Sequence, residues 1–422
     1  MADNLMNASK SSMVDFFDDL EARLSLITGI IDPSEVGLTL EQVRKPMLVI
    51  GDPGIGKTCG IISIIKNLNE TKLASKGIQL GFKKILLGQT VVGSMSGIPV
   101  VMPDGSVKRV QVPDLPDPER DGEYGVLFLD EITTADEAQV QPALGLADDS
   151  RNIGTYTLPE HWLVVAAGNG ANCTNFVRLD DMTISRFVVY DIAYNYQTDW
   201  RPYAHNHGID SDIIAFLNFE PDCCMRVEST DTDISGKLFP CPRSWERLSN
   251  ELKMRKAVGK PVAQQEIDKF AGRIIGIRAG RSFQSFTAYS SKVAYAPESI
   301  VGGTERDPAD DIEKQVFFIL LQRCVKLLSK MCEENDDGSG DFPREVFESV
   351  ANVVNWFLKM QEIDLESTIT AIMSLQKDDS RISKIICDPD FSIVCPELDN
   401  FFEEYFDVIY SAGRDGMFSD EI

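Results

Sequence analysis

Apolar positions along this chain follow two patterns. Short apolar runs bounded by glycine, proline or charge recur at Met47–Ile50, Lys84–Leu87, Gly125–Glu131, Trp162–Ala167 and Phe187–Ile192. Runs of that length and composition read as strands buried in a parallel sheet. Helical spacing takes over elsewhere. Val14, Phe17, Leu20, Leu24 and Ile27 predict a helix within 12–32, capped at Ser11 or Ser12 and packed on the sheet domain. Further helices are predicted from Cys59 to about Leu68, over Thr134–Leu146, over Ile312–Met331, within 344–376 and over about 399–410. In 344–376 the periodic residues are Val346, Val350, Val353, Val354 and Phe357. Residues 195–300 read as helices with loops. True alternation occurs at Ile98–Met102 and Val107–Val112, joined by the turn sequence PDGS, which predicts a β-hairpin. A second short hairpin is expected over Arg151–Leu158. Glu333–Asp341, EENDDGSGD, reads as a linker.

Chemistry enters between the first strand and the helix behind it. Gly51, Asp52, Pro53, Gly54, Ile55, Gly56, Lys57 and Thr58 spell GDPGIGKT, the G-x-x-x-x-G-K-[ST] pattern in its strand–loop–helix context, and Cys59 follows. Backbone N–H groups of Gly54, Ile55 and Gly56, with the helix N-terminus, are placed to cradle phosphates. Lys57 is expected to reach the β- and γ-phosphates and Thr58 to ligate Mg²⁺. A glycine turn without a ligand would explain the glycines but not the lysine and threonine together. The segment Pro33–Pro46 is expected near the base, with nothing to choose adenine over guanine.

GVLFLDE ends an apolar strand in two carboxylates, which are costly to desolvate unless they face positive charge. Asp130 is therefore expected to face Mg²⁺, on the strand adjacent to the first one, and Glu131 to orient and deprotonate the attacking water. A helix cap is the plainer explanation of the pair. Asn169, at the tip of the strand over Trp162–Ala167, can hold the lytic water or the γ-phosphate; an asparagine turn explains it equally well locally, and the strand context favours the first. Arg186, just before the last strand, faces outward either as a surface ion-pair residue or as a finger reaching a neighbour's γ-phosphate. Arg243 starts a helix after a proline stop, with Trp245 and Leu248 on one face. His205 and His207 read as surface residues and Cys223–Cys224 as free thiols, since neither set has partners at metal spacing.

Composition narrows the partners. The 422 residues carry a net charge of −25, of which 11 Lys+Arg against 27 Asp+Glu in 301–422 supply −16. Such a surface repels phosphate backbones, so nucleic acid is disfavoured as a partner; Lys108 and Arg109 on the first hairpin are the local basic exception. Nine scattered cysteines point to a reducing compartment, the cytoplasm, and no run approaches the roughly 18 apolar residues of a membrane span. The N-terminus has neither a basic region nor a signal-peptide core.

Taken in order, GDPGIGKT, FLDE, AAGN, SRF and PRSWE resemble the AAA+ superfamily over about residues 40–290. With the hairpin in 90–118 and that in 150–158, the set looks like the MoxR-like ATPases, and LPEHWLVVAAGN and PRSWE look like a compact subgroup found in bacteria and phages. The resemblance implies an α/β fold: a P-loop AAA+ nucleotide domain with a parallel sheet (35–193) behind an N-terminal helix (1–34). A helical lid (194–300) and an acidic helical C-terminal module (301–422) follow. It assigns Lys57 and Thr58 to Walker A, Asp130 and Glu131 to Walker B, Asn169 to sensor 1, Arg186 to the trans-acting finger and Arg243 to sensor 2. Gln89 matches a polar position that can hold the catalytic glutamate off its water, and Arg151 an arginine near the subunit boundary. Asp52 and Gly170 depart from the usual residues without removing a catalytic group.

The resemblance further implies ATP and Mg²⁺ as cofactors, a hexameric ring, and hydrolysis that turns lid against core and moves both hairpins. A client protein is implied, commonly with a partner bearing a von Willebrand factor A domain, of which the sequence shows nothing. The competing readings are a nucleic-acid motor or loader, and a nucleotide-gated scaffold with little turnover.

Overall fold

Five parallel strands make the sheet that positions the motifs. The structure, a computed structural model, describes residues 10–90, 95–110, 114–170, 177, 179–225, 238–289, 293–309, 312–336, 341–377 and 379–412. In chain order the strands are β1 (Met47–Ile50), β2 (Leu80–Leu86), β3 (Ile98–Val101), β4 (Val107–Val110), β5 (Tyr124–Asp130), β6 (Asn152–Ile153), β7 (Tyr156–Thr157), β8 (His161–Gly168) and β9 (Val188–Asp191). The main sheet runs β2-β5-β8-β1-β9, and β3-β4 and β6-β7 are separate two-stranded hairpins. This is the expected α/β P-loop class with a parallel sheet.

One expectation fails. The Asp130 strand is not adjacent to β1, because β8 lies between them, pairing Ile50 with Gly168 and Leu129 with Ala166. The cause is burial. Every residue of β8 from Trp162 to Gly168 is buried, so this strand gains most from having neighbours on both sides. Trp162 fits over Gly81 and Gly125, where an added Cβ would lie 3.1 Å and 2.7 Å from its ring. Its indole N–H donates to Gly122 O at 3.0 Å.

The N-terminal helix α1 (Met13–Ile27) starts with a reciprocal cap between Ser12 and Asp15. Its buried face is Met13, Phe16, Leu20, Leu24 and Ile27, whereas Val14 is 43% exposed. The sequence MVDFF offers two overlapping apolar faces, and packing selects the one beginning at Met13. Phe16 meets the Tyr190 ring of β9 at 5.3 Å. Phe17 is half-buried, its ring lying over Gly60 of the P-loop helix α2 (Lys57–Leu68). Upstream of α1, Ser11 N donates to Asp191 O and Ala193 N to Ser11 O, both at 3.0 Å, which closes the β9 edge. Helix α3 (Glu137–Ala147) follows β5, with Asp136 and Gln139 capping each other.

The chain divides into two compact units at Tyr194/Asn195. In the second unit all described elements are helical. Helices α4 (Ser211–Phe219), α5 (Pro242–Ala257), α6 (Ile267–Ile275) and α7 (Ile277–Ala288) gather around Phe216, Trp245 and Phe283. The longer helices α8 (Lys314–Asn335), α9 (Arg344–Leu358), α10 (Leu365–Lys377), α11 (Ser380–Ile386) and α12 (Pro396–Ala412) build a second core. Val346, Val350, Val353, Val354 and Phe357 are all buried there, as their period predicts. Phe219 at the end of α4 touches Phe318 of α8 at 6.3 Å, so the two helical groups share packing. Helix α8 runs through Asn335, into the start of the expected linker, and 337–340 of that linker lie outside the described residues.

Candidate functional site

The loop after β1 turns on two glycines at positive φ, Gly54 (86°) and Gly56 (102°), the second capping α2. Gly51 is closely packed: a Cβ there would stand 2.8 Å from Ile55 Cδ1 and 3.1 Å from Ile192 Cβ, so both neighbours would have to shift. Gly54 and Ile55 are buried, Asp52, Pro53 and Thr58 half-buried, and Cys59 exposed. Lys57 is 8% exposed, and its ammonium donates to Gly51 O at 2.6 Å and Asp52 O at 3.0 Å. The lysine thus folds back over its own loop, satisfied by carbonyls.

Across the sheet, β5 delivers Asp130 and Glu131 to the same C-terminal edge. With β8 between, the tips of β1 and β5 are two strand spacings apart, roughly 10 Å. Asp130 Oδ1 accepts from Glu131 N at 2.9 Å, and Asp130 Oδ2 lies 2.7 Å from Lys84 Nζ on β2. Glu131 itself adopts φ 62°, a left-handed conformation uncommon for a residue with a side chain. A Cβ added to Gly88 would stand 3.4 Å from Glu131 Oε2, so the carboxylate lies along the backbone just after β2. Gln89 is exposed in the turn Leu87–Gln89, and among the described residues no hydrogen bond joins it to Glu131.

Asn169 follows β8 directly, between the β1 and β5 tips. Its position is fixed by Thr133, a buried residue whose Oγ1 accepts from Asn169 N at 2.8 Å and donates to Asn169 O at 3.2 Å. Gly168 must be glycine for this, since a Cβ would stand 2.5 Å from Thr133 Cγ2. The chain also joins β5 to β8 here through Ile132 N and Ala167 O at 3.0 Å.

Arg186 forms an ion pair with Asp148 at the end of α3, and donates to Met182 O at 2.9 Å. Of the two roles open to it in sequence, the ion pair within its own subunit is the one seen. Arg151 has φ 53° and is buried; it donates to Pro159 O at 3.0 Å and to Trp162 O, so it braces its own hairpin. Burial pulls its guanidinium down to about 10. Arg243 stands exposed near the start of α5, with Trp245 and Leu248 buried on the face predicted for them. Arg109 donates to Gly97 O at 3.0 Å and remains exposed. His207 is exposed and His205 half-buried, contrary to a surface reading of both, because His205 lies on the inner side of its short helix. Cys223 and Cys224 are free thiols.

A hydroxyl (Thr58) and a carboxylate (Asp130), both hard oxygen donors, suit a Mg²⁺ ion that keeps most of its water. The Lys84 ammonium at Asp130 Oδ2 shows that a cation is accommodated at that oxygen. Sequence reading missed Lys84 and Thr133. The first had a signal, a lysine opening the apolar run KILL; the second had none beyond its closeness to Asp130.

No family model matches the sequence, and no curated protein matches it. Solved structures with some likeness include Caenorhabditis elegans PCH-2, 12% identical over 74% of this chain and 68% of its own, with a TM-score of 0.27. Another is the Aeropyrum pernix ORC2 protein in ADPNP and ADP complexes, 12% identical over 74% and 80%, TM-score 0.34. A third is closed-state Hsp104 with ATPγS and casein, 13% identical over 69% of this chain and 49% of that one, TM-score 0.31. Likeness at that level fixes neither family nor function, which rest on the chain's own geometry. Among the described residues, no helix is long and apolar enough to cross a membrane.

Proposed function

We propose that this chain is an ATP-hydrolysing AAA+ machine of the MoxR-like kind, working as a hexameric ring to remodel or activate a client protein. The observation that carries the reading is convergence: the loop after β1 that leads to Lys57, the Asp130–Glu131 pair at the end of β5 and Asn169 just after β8 leave one parallel sheet at the same edge. Ligands of open parallel sheets bind outside the carboxyl ends of the strands.

The roles follow from chemistry. Backbone N–H groups from Gly54 to Thr58 hold the ATP phosphates, and Lys57 turns from the carbonyls of Gly51 and Asp52 to the β- and γ-oxygens. Thr58 and Asp130 hold Mg²⁺, which when bound neutralises charge on the phosphates. Glu131 accepts the proton of the attacking water, and Asn169 orients that water or the γ-phosphate. Arg186, released from Asp148, reaches the γ-phosphate of the adjoining subunit, and Arg243 contributes from the lid. A von Willebrand factor A partner and the acidic C-terminal module as a contact surface belong to this proposal.

Glu131→Gln keeps the shape of the site and removes the base. ATP turnover should fall about 10²–10⁴-fold with nucleotide binding retained. Unchanged turnover would defeat the catalytic assignment and leave a nucleotide-gated scaffold. Mixing Arg186→Ala subunits with Lys57→Ala subunits should restore part of the activity, because some interfaces then carry one intact arginine and one intact lysine. No restoration would remove the shared site.

A further inference from the structure

Lys84 is a cation on the central sheet that the proposed reaction does not use. It stands opposite Phe128 in the β2–β5 register, and Leu86 stands opposite Asp130, so Lys84, Phe128 and Asp130 share one face of the sheet. From there its stem crosses the Phe128 ring, 5.8 Å from ammonium to centroid, and its Nζ ends 2.7 Å from Asp130 Oδ2. The lysine side chain is 35% exposed and the aspartate 17%, so the pair lies partly out of water and is only partly screened. The opposite carboxylate oxygen, Oδ1, is already engaged by Glu131 N at 2.9 Å. Both oxygens of the carboxylate assigned to the metal are thus spoken for within the chain.

We propose that Lys84 competes with the divalent cation for Asp130. It holds Asp130 Oδ2, and a divalent ion arriving with nucleotide has to share or displace that ammonium. The inference rests on the nucleotide-site reading above. Its consequence is that the chain takes its divalent ion more weakly than the same site would without the lysine. A unit positive charge within a few ångströms of a doubly charged ion weakens binding by about tenfold even at the dielectric constant of bulk water, and by more where water is partly excluded.

The test uses the full chain, ADP and Mn²⁺ as a magnetic stand-in for Mg²⁺, with free Mn²⁺ counted by electron paramagnetic resonance during titration. Lys84→Met keeps the aliphatic stem on Phe128 and removes the charge; Lys84→Arg keeps the charge. Thermal melting confirms that each variant is folded. The expected result is Mn²⁺ affinity in the presence of ADP about tenfold tighter for Lys84→Met and close to wild type for Lys84→Arg. Equal affinity in wild type and Lys84→Met, with ADP bound by both, overturns the inference and leaves the nucleotide site standing. Weaker affinity in Lys84→Met overturns it as well, because Lys84 would then be aiming Asp130 at the ion. If the wild-type chain takes up no ADP, the site reading falls, and this inference falls with it.

Discussion

Thr133→Val tests whether the sheet edge acts as one unit. The substitution keeps shape and volume and deletes a single hydroxyl, which is buried and bonded twice to the Asn169 backbone, at 2.8 Å and 3.2 Å. Valine leaves the half-buried Asn169 N without its acceptor, a loss that stays within the about 1–3 kcal/mol of a fully buried orphaned donor. Against a typical stability of about 5–15 kcal/mol the chain still folds. The larger effect is expected in turnover. With the hydroxyl gone Asn169 loses its direct bonds to the segment after β5, leaving, among the described residues, only the Ile132–Ala167 bond two residues back, and a misplacement near 1 Å can cost about 10²-fold in rate. Steady-state ATPase should therefore show kcat falling about 10–10²-fold with KM little changed, the sign of an interaction felt mainly in the transition state. Thr133→Ser, which keeps the hydroxyl, should recover most of the loss. Calorimetry on the same samples separates stability from positioning. If Thr133→Val melts lower but turns over ATP at the wild-type rate, Thr133 is a packing residue and the coupling argued here is wrong.

Gly60→Ala should show a sign reversal. Alone it drives a methyl to 1.9 Å from Phe17 Cζ and should destabilise the chain by about 1–3 kcal/mol. In a Phe17→Ala background the same change should be neutral or stabilising by up to about 1 kcal/mol, as helix propensity alone dictates; a cost that persists there would refute the Phe17–Gly60 contact. Hydrogen bonding from Arg120 first, and from Lys83, holds the Asp121 carboxyl down to about 2. A depressed carboxyl contributes stability fully above its unfolded value of about 3.9 and loses it as the pH falls through the folded value. The gap in urea midpoint between wild type and Asp121→Asn should therefore be constant near neutrality and narrow between about pH 4 and pH 2. A gap that stays constant across that window would count against the ion pair.

Much of the nucleotide unit was legible because its signals are local. A four-residue apolar run followed by glycines and Lys57-Thr58 can form only a few structures, and β1, its loop and α2 fall where the pattern puts them. The hairpin at Ile98–Val110 was legible for the same reason, its turn closed by Asp104 accepting from Ser106 N at 2.9 Å. What stayed hidden is long-range. Nothing near Asp130 reveals that β8 will insert beside β5, or that Lys84 will reach back to it. The Arg186–Asp148 pair joins residues 38 apart in sequence, and an arginine carries no mark of which acid it will choose. Val14 failed differently, since Met13 and Val14 are both apolar and only the surface α1 packs on, helix α2 at Gly60 and β9 at Tyr190, decides between them.

Backbone strain supplies a criterion that neither motif nor periodicity could. Among the described residues, Glu131 and Arg151 are the two non-glycine positions at positive φ. A left-handed residue with a side chain costs of order 1–3 kcal/mol and persists only where its surroundings insist on it. At Arg151 the surroundings explain the strain completely: the residue is buried, and the turn aims its guanidinium at the carbonyls of Pro159 and Trp162. At Glu131 they do not. The backbone is held by Asp130 Oδ1 on its N–H and by Thr134 Oγ1 on its carbonyl at 3.0 Å, while the half-buried carboxylate makes no comparable structural bond among the described residues. At Glu131 the bonds hold the backbone turn and leave the carboxylate without a structural partner among the described residues. That difference supports the catalytic role proposed for Glu131 and accounts for Arg151 as part of the frame of its own hairpin.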